Sequence, residues 1–474
     1  MPFYNTGTML AQALAYLEAH RERFLQELLE FLAIPSVSAR PEHARDVHMA
    51  ALWLTEHLRH IGLRSEVLRT DGHPVVYAEW RARDPHAPTV LIYGHYDVQP
   101  ADPFELWDTP PFSPAVRDGY VYARGASDNK GQHFAHVKAV ETLLHTQGTL
   151  PVNVKFLIEG EEEIGSPSLS RFVSAHVDLL RCDCVMISDS AMRALDQPSL
   201  VYGLRGLVHL EVTVRCLAHD VHSGHYGGLV QNPILALAQM LAQVKDEQGR
   251  VRIPGFYDDV RALDPEERAA LMRAPYTEAD LRRETGALAA FGEPEYSLAE
   301  RRGARPTFEV NGIWGGYTGA GLKTIIPAEA HAKITCRLVP YQDPQRVAER
   351  VADYLRNIAP VGTEVEVRFG GGSPAVLIDR HTPVTRAAMR AAAATYGAEP
   401  IFELEGGSIP IVADLQRQLG VPIVLLGMGL PDDNVHAPNE RFSIRAYERG
   451  IQASARFLLE MSACCAGGDR RNGG

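Results

Sequence analysis

The stretch Thr89-Val-Leu-Ile-Tyr-Gly-His-Tyr-Asp-Val98 narrows the folds open to this chain more than any other. Its first residues form a short apolar, β-favouring run of the kind found in buried parallel strands, and Gly94 then lets the chain turn. His95 and Asp97 therefore project beyond the strand's C-terminal end, where open α/β sheets bind ligands. A histidine two residues before an aspartate can carry a metal, the imidazole binding the ion while a carboxylate fixes its orientation. Standing alone, such a pair is more often an ordinary polar turn.

The same unit recurs along the chain. Apolar positions at helical spacing over 8–33 (Leu10, Leu14, Leu17, Phe24, Leu28, Phe31) predict a surface-packed helix, and a second spans about 42–60 before Gly62. Strands are predicted at 63–69, 74–80 and 89–93. Tyr120-Val-Tyr122 leads into Arg124-Gly-Ala-Ser-Asp-Asn-Lys-Gly131 and a helix. Val152–Ile158 leads into Glu159-Gly-Glu-Glu-Glu-Ile-Gly-Ser166, Cys184–Ser188 into Asp189, and Val421–Leu426 into glycines. Alternating β and α elements predict a mostly parallel sheet with helices on both faces.

From Gly206 the pattern changes. Strand 207–214, helix 233–245, strands 307–313 and 330–338, helix 344–357 and strand 364–369 give a β-α-β-β-α-β order, the ferredoxin-like pattern. With 474 residues, more than one ordinary core holds, the chain divides into a catalytic domain at 1–205 and 379–465, an inserted lid or dimerisation domain at 206–378, and a disordered tail at 466–474. Residues 250–305 are charged and weakly periodic, and read as an elaboration of the insert.

A net charge of −12, from 47 basic and 59 acidic residues, argues against a nucleic-acid or anionic-membrane surface. Six scattered cysteines do not make a disulfide framework. Neither Cys182-Asp-Cys184 nor Cys464-Cys465 has the spacing of a structural zinc site, so thiols in a reducing cytosol fit best. No basic-then-apolar leader and no membrane-length apolar run is present, and a cytoplasmic location is expected.

Five candidate ligands stand at strand ends or in adjoining loops: His95, Asp128, Glu163, Asp189 and His436. Imidazoles mixed with carboxylates suit zinc, manganese or cobalt and disfavour an all-oxygen calcium site. Five exceed what one catalytic zinc takes from protein, whereas two metals about 3.5–4 Å apart sharing one carboxylate would use them all. Each residue has a plainer reading beside this one. Glu161-Glu-Glu163 could be a solvated acidic helix start, Asp128 and Asp189 caps or turns, and His436 an ordinary loop residue.

Taken together, Gly-His-Tyr-Asp97, Arg124–Gly131, Glu-Glu-Ile-Gly-Ser166, Ser-Asp189 and the late His436 resemble the cocatalytic di-zinc metallopeptidases. That family includes aminoacylase, carboxypeptidase G, acetylornithine deacetylase, cytosolic non-specific dipeptidase and carnosinase. The resemblance implies two divalent ions, zinc first with manganese or cobalt possible, bridged by Asp128. His95 and Asp189 complete one site, Glu163 and His436 the other. Asp97 would orient His95, and Glu162 would be the general base toward a metal-activated water.

Asp220-Val-His-Ser-Gly-His-Tyr-Gly-Gly228, Lys323–Pro327, Cys336–Pro340 and Glu405–Pro410 resemble the dipeptidase branch. There the resemblance implies a homodimer with His222 and Thr324 reaching the partner's active site, and Arg337, Gly407 and Ser408 holding the substrate's C-terminal end. Leu404 departs from the basic residue expected before Glu-Gly-Gly-Ser. The implied activity is hydrolysis of dipeptides or short peptides. An N-acyl-amino-acid deacylase needs the same metals and base, and a non-catalytic binding protein on this fold would have lost ligands that are all present here.

Overall fold

The computed structural model describes residues 6–273 and 275–466. Ala466 closes the helix Ile444–Ala466, and the rest of the tail expected to be disordered lies outside the described residues. The chain forms two compact units, one from Met1–Tyr202, Ile378–Glu403 and Asp414–Gly474, the other from Gly203–Leu377 and Leu404–Ala413.

In the first unit the sheet runs in the spatial order Arg64–Leu68, Val75–Trp80, Asn153–Glu159, Thr89–His95, Cys184–Ile187, Ile423–Leu426, Ser199–Leu204. Asn153–Glu159, Thr89–His95, Cys184–Ile187 and Ile423–Leu426 pair in parallel, so their C-terminal ends share one edge. Their near-continuous burial is what parallel strands require, since helices cover them. The margins are antiparallel, within the mostly parallel sheet that the sequence pattern predicts. The pairing of one margin follows from the chain: Arg64–Leu68 and Val75–Trp80 are joined by a short connection, too short for a parallel crossover.

The helices Thr6–Leu32, Lys130–Gln147 and Ile444–Ala466 pack on one another. Lys130–Gln147 is buried on all sides from Lys130 to Leu144, and this explains its lack of an amphipathic face. Its charged residues need internal partners. The Lys138 ammonium donates to Glu141 Oε2 at 2.7 Å, to His57 Nε2 at 2.7 Å and to Glu27. Arg23 adds hydrogen bonds to Glu141 at 2.6 Å and Glu27 at 2.8 Å.

The second unit holds an antiparallel sheet in the order Thr307–Gly315, Glu329–Leu338, Gly206–Arg215, Glu364–Ser373. Helices Pro233–Val244 and Pro344–Asn357 pack on it, which completes the ferredoxin-like arrangement. Gly206–Arg215 alternates buried and exposed residues, as a half-covered sheet does. Within 250–305 stand the short helices Pro265–Leu271, Glu278–Thr285 and Leu298–Gly303. Each opens with a capping box, on Asp264, Thr277 and Ser297, so local capping rather than a long apolar stripe forms them.

Candidate metal centre

Four parallel strands deliver side chains to one edge. His95 is the last residue of its strand and pairs with Glu159 of the neighbouring strand, after which a single turn at Glu162–Ile164 carries Glu162 and Glu163. Asp189 follows Cys184–Ile187, and His436 lies in the loop after Ile423–Leu426. Asp128 immediately precedes Asn129, the N-cap of Lys130–Gln147. A small ladder between Arg441–Ser443 and Tyr120–Tyr122 brings the His436 loop to the Asp128 loop.

The two oxygens of Asp128 face different partners. Oδ1 is 3.1 Å from His95 Nε2 and Oδ2 is 2.9 Å from His436 Nε2. His95 Nε2 is 3.7 Å from Asp189 Oδ1, and His436 Nε2 is 3.2 Å from Glu163 Oε2. His95, Asp128 and Asp189 form one group of donor atoms within 4.8 Å, and Asp128, Glu163 and His436 a second. The structure thus brings all five candidate ligands into two triads that meet in Asp128.

The electrostatics fit a site built for cations. Burial, and then the neighbouring Asp128 charge, pushes the Glu163 carboxyl up to about 7. Burial likewise raises Glu162 and Asp189, with carboxylate neighbours adding to it. Burial opposes a charge on His95, yet hydrogen bonding to Asp128, Asp189 and Asp97 lifts its pKa well above the usual histidine range. His436 is raised to about 10, chiefly by Asp128 and then Glu163. Protons on the imidazoles supply positive charge that divalent ions would otherwise bring, so donor chemistry and charge both suit such ions.

His95 Nδ1 lies 3.1 Å from the Asp97 main-chain oxygen and 3.4 Å from its carboxylate. An N–H donated there leaves Nε2 as the lone-pair donor toward the Asp128 side. Asp97 does more than face His95. Its oxygens accept the backbone N–H groups of Glu162 at 3.2 Å and Glu163 at 3.1 Å, and the Ser38 hydroxyl at 2.6 Å. His436 is held at φ +64°, a left-handed conformation that non-glycine residues adopt at a cost of roughly 1–3 kcal/mol where surroundings enforce it.

Several supporting residues were not singled out from sequence. Gln99 donates from its side-chain amide to Glu163 Oε2 at 2.9 Å. Asn129 donates to Asp189 Oδ1 at 2.8 Å and to the Ser188 carbonyl at 2.6 Å. Glu440 accepts the Asp128 N–H at 3.0 Å. Asn129 lies inside the Arg124–Gly131 motif read above and Glu440 stands four positions after His436, so nearness to a ligand is the available signal.

The remaining expected site residues lie in the second unit. His222 and Thr324 are brought together there: His222 pairs with Ile325, and the Ser223 N–H donates to the Thr324 carbonyl at 2.9 Å. Arg337 donates to the Ser408 hydroxyl at 2.8 Å, and the Gly407 carbonyl accepts the Arg205 N–H at 3.2 Å. Among the described residues Arg337 pairs with no carboxylate, and burial lowers its pKa.

The family model for Peptidase family M20/M25/M40 matches residues 91–460. The chain is 31% identical to "Beta-Ala-His dipeptidase" of Rattus norvegicus, over 98% of this chain and 97% of the relative. It is likewise 31% identical to "Cys-Gly metallodipeptidase dug1" of Schizosaccharomyces pombe, over 94% and 97%. Among solved structures, an M20 family metallo-carboxypeptidase of Sulfolobus solfataricus superposes with a TM-score of 0.84 at 36% identity, covering 93% of this chain and 99% of that one.

Proposed function

The chain belongs to Peptidase family M20/M25/M40 and is a metal-dependent hydrolase of dipeptides, and from that premise we propose how its residues share the reaction. The observation that carries the reading is the meeting of two donor triads in the two oxygens of Asp128. His95, Asp128 and Asp189 would hold one divalent ion and Asp128, Glu163 and His436 a second, with zinc the first choice and manganese or cobalt next. Such ions, when bound, supply Lewis acidity and make water a nucleophile at neutral pH.

Glu162 takes the proton of the attacking water and returns it to the departing amine. Its support is its place beside the ligand Glu163 on a backbone held by Asp97. Arg337, with Ser408 and Gly407, holds the substrate's free carboxylate through charge-assisted hydrogen bonds. A half-buried guanidinium with no carboxylate partner among the described residues supports this assignment. His222, joined by Thr324, stabilises the developing oxyanion from the partner subunit of a homodimer. Exposed Ile313 and Trp314 in the second unit support association. Free thiols at Cys182, Cys216 and Cys336 support a reducing, cytoplasmic setting.

A carboxypeptidase acting on longer chains is the second reading, favoured by the similarity to the Sulfolobus enzyme, since an Arg337 clamp recognises any free C-terminus. A deacylase of N-acyl-amino acids would use the same metals and base. Metal-stripped protein reloaded with zinc, manganese or cobalt, one at a time, is assayed on Cys-Gly, β-Ala-His, a tripeptide and acetyl-amino acids. Metal-dependent cleavage of the dipeptides is expected. Faster tripeptide trimming moves the assignment to a carboxypeptidase, and cleavage of acetyl-amino acids alone moves it to a deacylase. Mixing inactive Glu162→Gln and His222→Ala proteins restores activity only if His222 acts across subunits.

A further inference from the structure

Glu440 is wholly buried, and its carboxylate is spent on the loop that carries Asp128. Oε1 accepts the N–H groups of Ser127 at 2.9 Å and Asp128 at 3.0 Å. Oε2 accepts the Gly125 N–H at 2.9 Å and Arg124 Nη1 at 2.8 Å. The Glu440 carbonyl also accepts the Ala123 N–H at 3.1 Å. Glu440 itself ends the loop that bears His436. Asp433, in the same loop, adds an Oδ2 that accepts the Ser127 hydroxyl and the Leu430 N–H, each at 2.8 Å. The Asp128 loop and the His436 loop are therefore one hydrogen-bonded body.

The other triad is organised by a different residue. Asn129 Oδ1 accepts the His95 N–H at 3.3 Å, and its Nδ2 donates to Asp189 Oδ1 at 2.8 Å. Two supports thus flank Asp128: Glu440 holds its main chain to the loop that bears His436, and Asn129 ties His95 to Asp189.

We propose that Glu440 is the positioning residue of the His436–Glu163 ion site, setting Asp128 Oδ2 in register with His436, while the His95–Asp189 site depends on Asn129 instead. This rests on the two-ion reading above. Orientation of ligands by hydrogen-bonded neighbours is worth about 10–100-fold in metal affinity. Loss of Glu440 falls on one ion and spares the other.

The test uses the full chain, stripped of metal and titrated with Co2+ by calorimetry and visible absorption. Glu440→Gln keeps the shape but turns one oxygen into an NH2 that opposes the N–H donors it meets. Wild-type protein takes up two ions. In Glu440→Gln one ion binds within about threefold of wild type and the other binds about 10–100-fold more weakly. The cobalt spectrum of the retained ion matches that left in His436→Ala. Equal weakening of both ions, or of neither, overturns the proposal. A wild type that holds a single ion overturns the two-ion reading and this inference with it. If Glu440→Gln does not fold, Glu440→Asp decides, because it keeps a charge for Arg124 but cannot span all four donors: selective loss upholds the proposal and equal loss overturns it.

Discussion

Two clusters in the first unit have the same composition and opposite character. Glu27, His57 and Glu141 place an imidazole and two carboxylates within 4.8 Å of one another, as do His95, Asp128 and Asp189. In the first cluster the Lys138 ammonium hydrogen-bonds all three residues. In the second, the ion pairs of Asp128 and Asp189 among the described residues run to His95 and His436. The histidines report the difference. Burial, and then the Lys138 charge, lowers His57 to about 3, whereas the carboxylates around His95 outweigh its burial and raise it. A ligand-like set therefore marks an ion site only where the fold has not supplied its own cation.

The strongest way to break this contrast is Asp128→Ala, which removes the oxygens facing both histidines. Activity should fall at least about 10⁴-fold, as when a catalytic group acting in concert with others is lost. Unchanged turnover would erase the distinction between the clusters. Lys138→Met leaves the buried Glu141 and the part-buried Glu27 with Arg23 as their remaining cation and should cost about 1.5–3 kcal/mol of stability, the worth of a hydrogen bond to a charged group. In the folded fraction, kcat/KM should stay near wild type, and added zinc should recover part of the lost stability; an unshifted urea midpoint would contradict the assignment.

Arg337 is the proposed converse case, a guanidinium that pairs with no carboxylate among the described residues. Arg337→Ala should weaken dipeptide binding about 10–100-fold, the worth of a hydrogen bond to a charged group. A dipeptide amide should be affected little, and equal loss on both substrates would remove the clamp. The remaining effect concerns acid. Folded His57, facing Lys138, Glu141, His60 and Arg23, stays neutral down to about 3, while the unfolded residue gains a proton below about 6.5. The unfolded state then binds more protons, so this contribution is complete above pH 6.5 and is lost as pH falls toward 3, by at most about 1.4 kcal/mol per pH unit. The stability gap between wild type and His57→Gln should narrow from pH 7 to pH 4, and a constant gap would refute it.

Sequence carried the periodic features well. Continuous apolar runs ending in glycine, histidine or acid marked the parallel strands, because strand-end chemistry is local in the chain. Helix Lys130–Gln147 was visible as a helix, but its full burial was not, since Lys130, Lys138 and Glu141 look like solvent residues. Their partners come from elsewhere in the chain: Glu27 stands 111 positions from Lys138. Glu440 meets the Asp128 N–H across 312 positions. No period or spacing encodes such a pairing, whereas His95 and Asp97 are neighbours and could be read together. The helices in 250–305 escaped notice because their capping boxes are short signals without an apolar repeat.

The strand Ile423–Leu426 is the last of the four parallel strands, between Cys184–Ile187 and the antiparallel Ser199–Leu204, yet it is made only after the whole second unit. At about 5–20 residues per second, the ribosome needs on the order of 10–50 s between Asp189 and His436. Throughout that interval the nascent chain can display His95, Asp128 and Asp189 but has neither His436 nor Glu440. On the proposed two-ion reading, the residues of one position are then complete during synthesis, and those of the second only after the last parallel strand has been made.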